Sequence, residues 1–133
     1  MNERITTAGL LIKDCSVLVA KRSQGHGHDN IWEIPGGKNR YGETPEKTLV
    51  REWKEELNLD IKVHECLATC EFENNETIYH LKAYRISCDD LSKLKLCEQS
   101  EYRFVSKNEQ RMLEMMNSDK QIFETLWLKL ENV

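Results

Sequence analysis

Residues 36–59 read GGKNRYGETPEKTLVREWKEELNL, and this stretch decides the fold and the chemistry of the chain. Gly37 is followed after five residues by Glu43 and, after seven more, by a charged run that begins at Arg51. That run carries three carboxylates: Glu52, Glu55 and Glu56. Carboxylates clustered on a rigid element can hold Mg²⁺ against a chain of phosphates. The stretch therefore predicts a divalent metal site for a phosphate-bearing substrate.

The carboxylates are expected to lie on a helix that local chemistry delimits. Thr44 suits the N-cap, and Pro45 suits the first helical position, where its missing N–H costs nothing. Four residues with helical spacing form the expected apolar face: Leu49, Val50, Trp53 and Leu57. Glu52 and Glu56 lie one turn apart at the border of this face. Asn58 tolerates the left-handed conformation, so the helix can end there.

This arrangement resembles the signature box of the Nudix hydrolase superfamily, in particular its MutT-like members. The residues that carry the resemblance are Arg22, the run Trp32-Glu33-Ile34-Pro35-Gly36-Gly37-Lys38, Gly42-Glu43-Thr44 and the run 51–59. Asn58 departs from the pattern, because the family usually has glycine there. The resemblance implies a Nudix α/β/α sandwich, in which a mixed β-sheet is flanked by helices, and a single domain over residues 1–133.

The resemblance also implies a magnesium ion, for which Mn²⁺ is a possible substitute. Its expected ligands are the backbone carbonyl of Gly36 and the carboxylates of Glu52, Glu55 and Glu56. Glu43 and Arg51 are expected to form a supporting ion pair that orients the helix and the preceding turn.

Hydrolysis further requires a carboxylate that deprotonates or aims a water molecule. In MutT-like proteins this group comes from the box or from a later loop, which here offers Glu98 and Glu101. We favour Glu101 because it adjoins a strand expected to begin at Tyr102. The expected catalytic residues are Glu52, Glu55 and Glu101.

Seven residues are expected to contact the substrate: Arg22, His28, Ile34, Pro35, Gly37, Lys38 and Asp119. Arg22 ends a predicted strand, where its guanidinium can bind a phosphate through two N–H groups; an exposed strand end is the alternative. Lys38 either neutralises phosphate or is simply exposed. His28 lies on a glycine-rich loop that borders the nucleotide in MutT-like proteins, although a loop histidine can equally be a bystander.

Asp119 is expected near the start of the last helix, where MutT-like proteins place an Asn or Asp that reads the base edge. An aspartate only accepts hydrogen bonds, so it would favour guanine, 8-oxoguanine or the amino group of cytosine. The alternative interpretation places Asp119 in the first turn of that helix, where acidic residues are common anyway.

The remaining elements follow from alternating apolar residues and from capping signals. The predicted strands are 5–13, 16–22, 31–34, 61–72, 77–86 and 102–105, with turns at 14–15, 35–37 and 73–76. Two capping boxes, Ser106 with Glu109 and Ser118 with Gln121, predict the start of two helices.

The composition of the chain limits the class of partner that it is expected to bind. The chain has 133 residues and a formal charge of −4, which argues against a nucleic-acid polymer as partner. Its five cysteines lack the paired spacing of a zinc site, so we expect reduced thiols in a cytoplasmic protein. No apolar run predicts a signal peptide or a membrane span. We expect a monomer or homodimer that binds a small nucleotide.

The resemblance implies a Mg²⁺-dependent pyrophosphohydrolase that converts a nucleoside triphosphate and water into the monophosphate and pyrophosphate. Removal of oxidised guanine nucleotides such as 8-oxo-dGTP is favoured. A CTP or dCTP pyrophosphatase is the next alternative, followed by an ADP-ribose or nucleotide-sugar diphosphatase. A nucleotide-sensing module without activity would be expected to lack one of the box carboxylates, whereas this chain retains all of them. An RNA-end pyrophosphohydrolase would be expected to have a basic groove.

Overall fold

The computed structural model describes residues 2–23 and 30–131, which contain seven strands and three α-helices. The strands are β1 (Asn2–Lys13), β2 (Ser16–Arg22), β3 (Trp32–Glu33), β4 (Gly36–Lys38), β5 (Lys62–Asn74), β6 (Thr77–Ser87) and β7 (Gln99–Val105). The helices are α1 (Pro45–Leu57), α2 (Lys107–Arg111) and α3 (Asn117–Glu131). A short 3₁₀ turn, Leu91–Lys93, precedes β7. No helix in the described part is both long and apolar enough to cross a bilayer.

Strand β1 joins the parts of a mixed sheet. It runs parallel to β6 from Asn2 to Leu11, and antiparallel to β4 on its other side. Its last two residues pair with β2 around a tight turn at Asp14 and Cys15, both of which have positive φ. The path through the sheet is β3-β2-β1-β6-β5, with β4 on β1 and β7 on β2.

Helices cover both faces of this sheet. On one face, α3 buries Ile122, Phe123 and Leu126 in an apolar cluster with residues of β1, β2 and β6. On the other face, α1 buries Leu49 and Trp53 in a second cluster. The arrangement is the expected α/β/α sandwich with a mixed sheet.

A close approach of backbone to side chain fixes α1 on the sheet. The Trp53 Nε1–H and the backbone N–H of Gly9 both donate to the carbonyl oxygen of Pro35, each at 2.9 Å. A Cβ atom at Gly9 would lie only 2.5 Å from Trp53 Nε1 and 2.9 Å from Ile86 Cδ1. Only glycine therefore lets β1 pass beneath the indole.

The predicted limits of α1 are confirmed. Thr44 accepts a hydrogen bond from the Lys47 N–H at 3.2 Å, and Asn58 takes the left-handed conformation with φ of 57°. The predicted apolar face is wrong at Val50, which is 41% exposed. The helix instead buries Glu56, which is 8% exposed and accepts a hydrogen bond from Gln99 of β7.

Several other boundaries differ from the sequence predictions. The predicted turn at 35–37 is partly strand, since β4 pairs with β1 through Gly36 and Gly37. The turn between β5 and β6 consists of Asn75 and Glu76 alone, both with positive φ. The capping box at Ser106 is formed. The one at Ser118 is wrong, because α3 already begins at Asn117 and the Lys120 N–H in its first turn donates to the Met116 carbonyl.

Gly9→Ala should lower the free energy of unfolding by about 1–3 kcal/mol, because the added methyl group overpacks the contact with Trp53. Urea denaturation followed by circular dichroism measures this loss. The double variant Gly9→Ala/Trp53→Phe should lose less than the sum of the two single losses, since the smaller ring relieves part of the clash. Strictly additive losses would contradict the proposed origin of the strain.

Candidate active site

Carboxylates from three separated parts of the chain meet beside the C-terminal half of α1. They line an open cavity of about 650 Å³, which we call the acidic cavity. Its lining residues are Arg22, Ser23, Glu33, Glu56, Cys97, Glu98 and Gln99. The cavity brings together the end of β2, strand β3, the helix α1 and the segment that leads into β7.

Glu56 is the most deeply buried of these carboxylates, with 8% of its surface exposed. Its Oε1 accepts a hydrogen bond from Gln99 Nε2 at 3.0 Å, whereas its Oε2 is buried and has no hydrogen-bond partner within the described residues. Burial, together with the nearby charges of Glu33, Glu52 and Glu98, raises the pKa of Glu56 to about 9. A cation at Oε2 would reverse this effect, because it favours the ionised carboxylate.

Glu52 lies one turn earlier, against the backbone of β4. A Cβ atom at Gly37 would lie 2.3 Å from its Cδ, so the glycine creates the space that this carboxylate occupies. Burial raises the pKa of Glu52, and the Arg51 guanidinium, whose Nη1 lies 2.8 Å from Glu52 Oε1, opposes that rise.

Arg51 forms the ion pair expected with Glu43. Its Nε and Nη2 donate to the two oxygens of Glu43 at 2.7 and 2.9 Å. These bonds lower the pKa of Glu43 to about 2, with further help from the Arg40 N–H and the Thr48 hydroxyl. Glu55 is farther out, with its side chain 45% exposed and its Oε2 3.4 Å from Arg51 Nη1. Arg51 thus ties the loop before α1 to the helix that carries the carboxylates.

A second cavity of about 510 Å³ adjoins the first, and we call it the Asp119 cavity. Its lining residues include Thr7, Arg22, Glu33, Gly36, Gly37, Lys38, Phe72, Tyr79, Met116 and Asp119. Arg22 and Glu33 line both cavities, and Arg22 Nε lies 3.0 Å from Glu33 Oε2. The rings of Phe72 and Tyr79 stack with centroids 5.1 Å apart, which gives this cavity an aromatic side.

Asp119 lies in the first turn of α3, but its side chain reaches across to the strand region. Its Oδ2 accepts a hydrogen bond from the backbone N–H of Ile34 at 3.1 Å. Burial raises the pKa of Asp119 to about 7; the Ile34 N–H opposes this shift and the charge of Glu33 adds to it. The carboxylate is therefore fixed at the wall of the Asp119 cavity, although it also occupies a helix start.

The other expected substrate residues are placed differently. Lys38 lines the Asp119 cavity, with its Nζ 5.2 Å from the centroid of the Tyr79 ring. Ile34 contributes its backbone N–H, while its side chain is buried. Pro35 is buried outside both sets of lining residues, and its carbonyl already accepts two hydrogen bonds. His28 lies outside the described residues.

The two candidate loop carboxylates are clearly separated. Glu98 lines the acidic cavity together with Glu56. Glu101 lies within β7, opposite Lys21 of β2, and its Oε1 is 3.3 Å from Arg103 Nε. Because β7 begins at Gln99, three residues earlier than expected, Glu101 lies within the strand, and of the two candidates Glu98 is the one that lines the cavity with Glu56.

The sequence analysis did not identify two further residues of the site, Glu33 and Gln99. Glu33 stands inside the quoted motif, but the sequence does not indicate that its carboxylate lies between two cavities. Gln99 is a polar residue in a polar segment, and the sequence carries no signal that it is 7% exposed or bonded to Glu56.

Comparison with known proteins finds similar curated sequences whose names give two different activities. A putative 8-oxo-dGTP diphosphatase 2 of Mycobacterium tuberculosis is 43% identical over 61 residues, which cover 46% of this chain and 43% of the relative. A CTP pyrophosphohydrolase of Escherichia coli is 33% identical over 79 residues, covering 59% of this chain and 58% of the relative. The chain thus matches only about half the length of these curated relatives.

Among solved structures, the Escherichia coli ORF135 protein superposes with a TM-score of 0.88 at 26% sequence identity, covering 99% of this chain and 94% of the other. A sequence model of the NUDIX domain matches residues 3–126. Because that match spans nearly the whole chain, this protein belongs to the NUDIX domain family.

Proposed function

We propose that the protein is a divalent-metal-dependent hydrolase that converts a nucleoside triphosphate and water into the nucleoside monophosphate and pyrophosphate. The observation that carries the proposal is the buried Oε2 of Glu56, which has no hydrogen-bond partner in residues 2–23 and 30–131 and lies in a cavity lined by two other carboxylates. The adjoining Asp119 cavity offers an aromatic side and a fixed carboxylate to a base. A nucleotide would place its phosphates and their metal ion in the acidic cavity and its base in the Asp119 cavity.

The donors fit Mg²⁺, and they fit Mn²⁺ as a substitute. Within residues 2–23 and 30–131, no three Asp, Glu, His or Cys side chains converge into a preassembled cage. Mg²⁺ commonly uses only one or two carboxylates and completes its shell with waters and substrate phosphates. Glu56 and Glu52 would supply these carboxylates, with Glu55, Glu98 and the Gly36 carbonyl as further donors. When bound, the metal would neutralise charge on the phosphate oxygens.

The chain's own groups divide the remaining work. Arg22 can exchange part of its pairing with Glu33 for a phosphate, since a guanidinium binds two oxygens at once. The carboxylate of Glu98 is placed to accept the proton of the attacking water, a role for which it replaces Glu101 in our proposal. The water oxygen bonds to the α- or the β-phosphorus and the P–O bond that bridges them breaks. Its electron pair leaves with pyrophosphate in the first case and with the monophosphate in the second.

Two bases suit the Asp119 carboxylate. It retains acceptor capacity beyond the bond from Ile34, because an ionised carboxylate has about four lone-pair positions. An oxidised guanine nucleotide such as 8-oxo-dGTP is our first choice, supported by the name of the Mycobacterium tuberculosis relative. CTP or dCTP is the second, supported by the cytosine amino group as a donor and by the name of the Escherichia coli relative.

Glu56→Gln should lower turnover by about a hundredfold or more, because a metal-bound carboxylate contributes several kcal/mol to stabilising charge in the transition state. Its metal-free thermal midpoint should change little at neutral pH, because burial raises the pKa of Glu56 to about 9 and the neutral amide replaces a side chain that is itself mostly neutral. Steady-state assays with Mg²⁺ and calorimetric melting measure both quantities. Glu124→Gln, on the exposed side of α3, is the control. Near-normal turnover in Glu56→Gln would exclude Glu56 as a metal ligand.

The products from a panel of nucleoside triphosphates should be the monophosphate and pyrophosphate. Ion-exchange chromatography identifies them, and a reaction in ¹⁸O-labelled water followed by mass spectrometry locates the attacked phosphorus. Label in the monophosphate means attack at the α-phosphorus, whereas label in pyrophosphate means attack at the β-phosphorus. Orthophosphate as the main product would contradict the proposed reaction.

Asp119→Ala should lower kcat/KM for the preferred nucleotide by about tenfold to a hundredfold, because a hydrogen bond to a charged group contributes about 1.5–3 kcal/mol. A poor substrate should lose much less. Asp119→Asn keeps an acceptor for the Ile34 N–H, so it separates base contact from support of the strand. Equal losses for guanine, cytosine and adenine nucleotides in both variants would remove Asp119 from base selection.

A further inference from the structure

Gln99, the first residue of β7, is buried next to the candidate metal ligand Glu56. Its Nε2 donates to Glu56 Oε1 at 3.0 Å, and the two residues are 43 positions apart in the chain. The Gln99 Oε1 is itself buried, and the described residues supply no donor for it. Two buried acceptors, Glu56 Oε2 and Gln99 Oε1, therefore flank this hydrogen bond.

The backbone brings Gln99 to this place in a fixed register. The Cys97 N–H donates to the carbonyl of Glu56 at 2.9 Å, and the Lys95 N–H donates to the carbonyl of Leu57 at 3.0 Å. The segment before β7 thus satisfies carbonyls that the end of α1 leaves free. On its other side, Gln99 pairs with Arg22 of β2 at a register shift in the ladder. Main-chain bonds therefore hold the amide opposite Glu56 from two directions.

A purely structural role does not account for this amide. Among the described residues the other buried glutamine is Gln110, which accepts a hydrogen bond from Trp127 Nε1 at 2.8 Å and so completes a bond within the core. Gln99 instead leaves an acceptor open at the wall of the acidic cavity. A buried polar atom without a partner destabilises a fold. We therefore expect the Gln99 amide beside Glu56 to be retained for its effect on the site.

We infer that Gln99 is a positioning residue for metal binding, an inference that rests on the proposed function. Its amide N–H fixes Oε1 of Glu56, so that Oε2 is the oxygen presented to a divalent cation. A carboxylate held in one orientation loses less rotational freedom when the cation binds. Gln99 acts through Glu56 and is not itself a ligand.

The test is Mn²⁺ binding in the absence of substrate, followed by the electron paramagnetic resonance signal of free Mn²⁺. Gln99→Met keeps the length and apolar volume of the side chain but removes the amide. It should raise the Mn²⁺ dissociation constant by about tenfold or more, as loss of a group that orients a metal ligand typically does. The metal-free thermal midpoint should change by only a few degrees, because Glu56 Oε1 loses its donor while the open acceptor of the amide disappears as well. The nucleotide KM at saturating metal should stay unchanged.

Gln110→Met is the matched control, since it removes a glutamine that is also buried but does not line the acidic cavity. It should lower the thermal midpoint by several degrees, because Trp127 loses its acceptor, and leave the Mn²⁺ dissociation constant unchanged. Gln99→Asn serves as a second variant should Gln99→Met fail to fold: its amide is one methylene too short to reach Glu56, and it should weaken Mn²⁺ binding in the same way.

The outcomes separate the two claims. If the wild-type protein binds Mn²⁺ and the folded Gln99 variants bind it equally well, the positioning role is wrong while the proposed function stands. Loss of thermal stability without loss of Mn²⁺ affinity would likewise assign Gln99 to the core alone. Absence of Mn²⁺ binding to the wild-type protein, both alone and with a non-hydrolysable nucleotide present, would overturn the proposed function and the inference with it.

Discussion

The close packing of α1 on strands β1 and β4 is the constraint on which the site depends. Trp53 and Gly9 share the carbonyl of Pro35, and a Cβ atom at Gly9 would collide with the indole. The same closeness recurs where Glu52 occupies the space above Gly37. With no side chain on Gly37, the carboxylate of Glu52 lies directly against the backbone of β4, and a small displacement of the helix would move all of its carboxylates together.

The carboxylates of α1 differ in whether a positively charged side chain pairs with them. Arg51 pairs with Glu43, Glu52 and Glu55, so the outer part of the acidic cluster has its countercharge within the protein. Glu56 faces the acidic cavity, where its hydrogen bond from the described residues comes from the neutral amide of Gln99, and burial raises its pKa to about 9. This contrast explains how the fold tolerates so many carboxylates and why a metal ion suits the inner end.

Local sequence signals predicted the helix well because its start and end depend on residues within one turn. Thr44, Pro45 and Asn58 act through their own backbone geometry and nearest hydrogen bonds, and all three behave as predicted. The rotation of the helix was harder to predict. Val50 is 41% exposed and Glu56 is 8% exposed, the reverse of what an apolar and a charged side chain suggest. The burial of a helix position depends on the tertiary neighbours that pack against it, and the local sequence does not contain them.

The sequence by itself determined the family, the helix that carries the carboxylates and the pairing of Arg51 with Glu43, since all of these lie within residues 36–59. Only the tertiary structure decided which later residues join them. Gln99 meets Glu56 across 43 positions, and Asp119 meets Ile34 across 85. Those contacts depend on the register of β7 against β2, including its shift at Lys21 and Arg22, and on where α3 begins. A shift of one residue in a strand turns every side chain to the other face, and no local pattern in this chain fixes it.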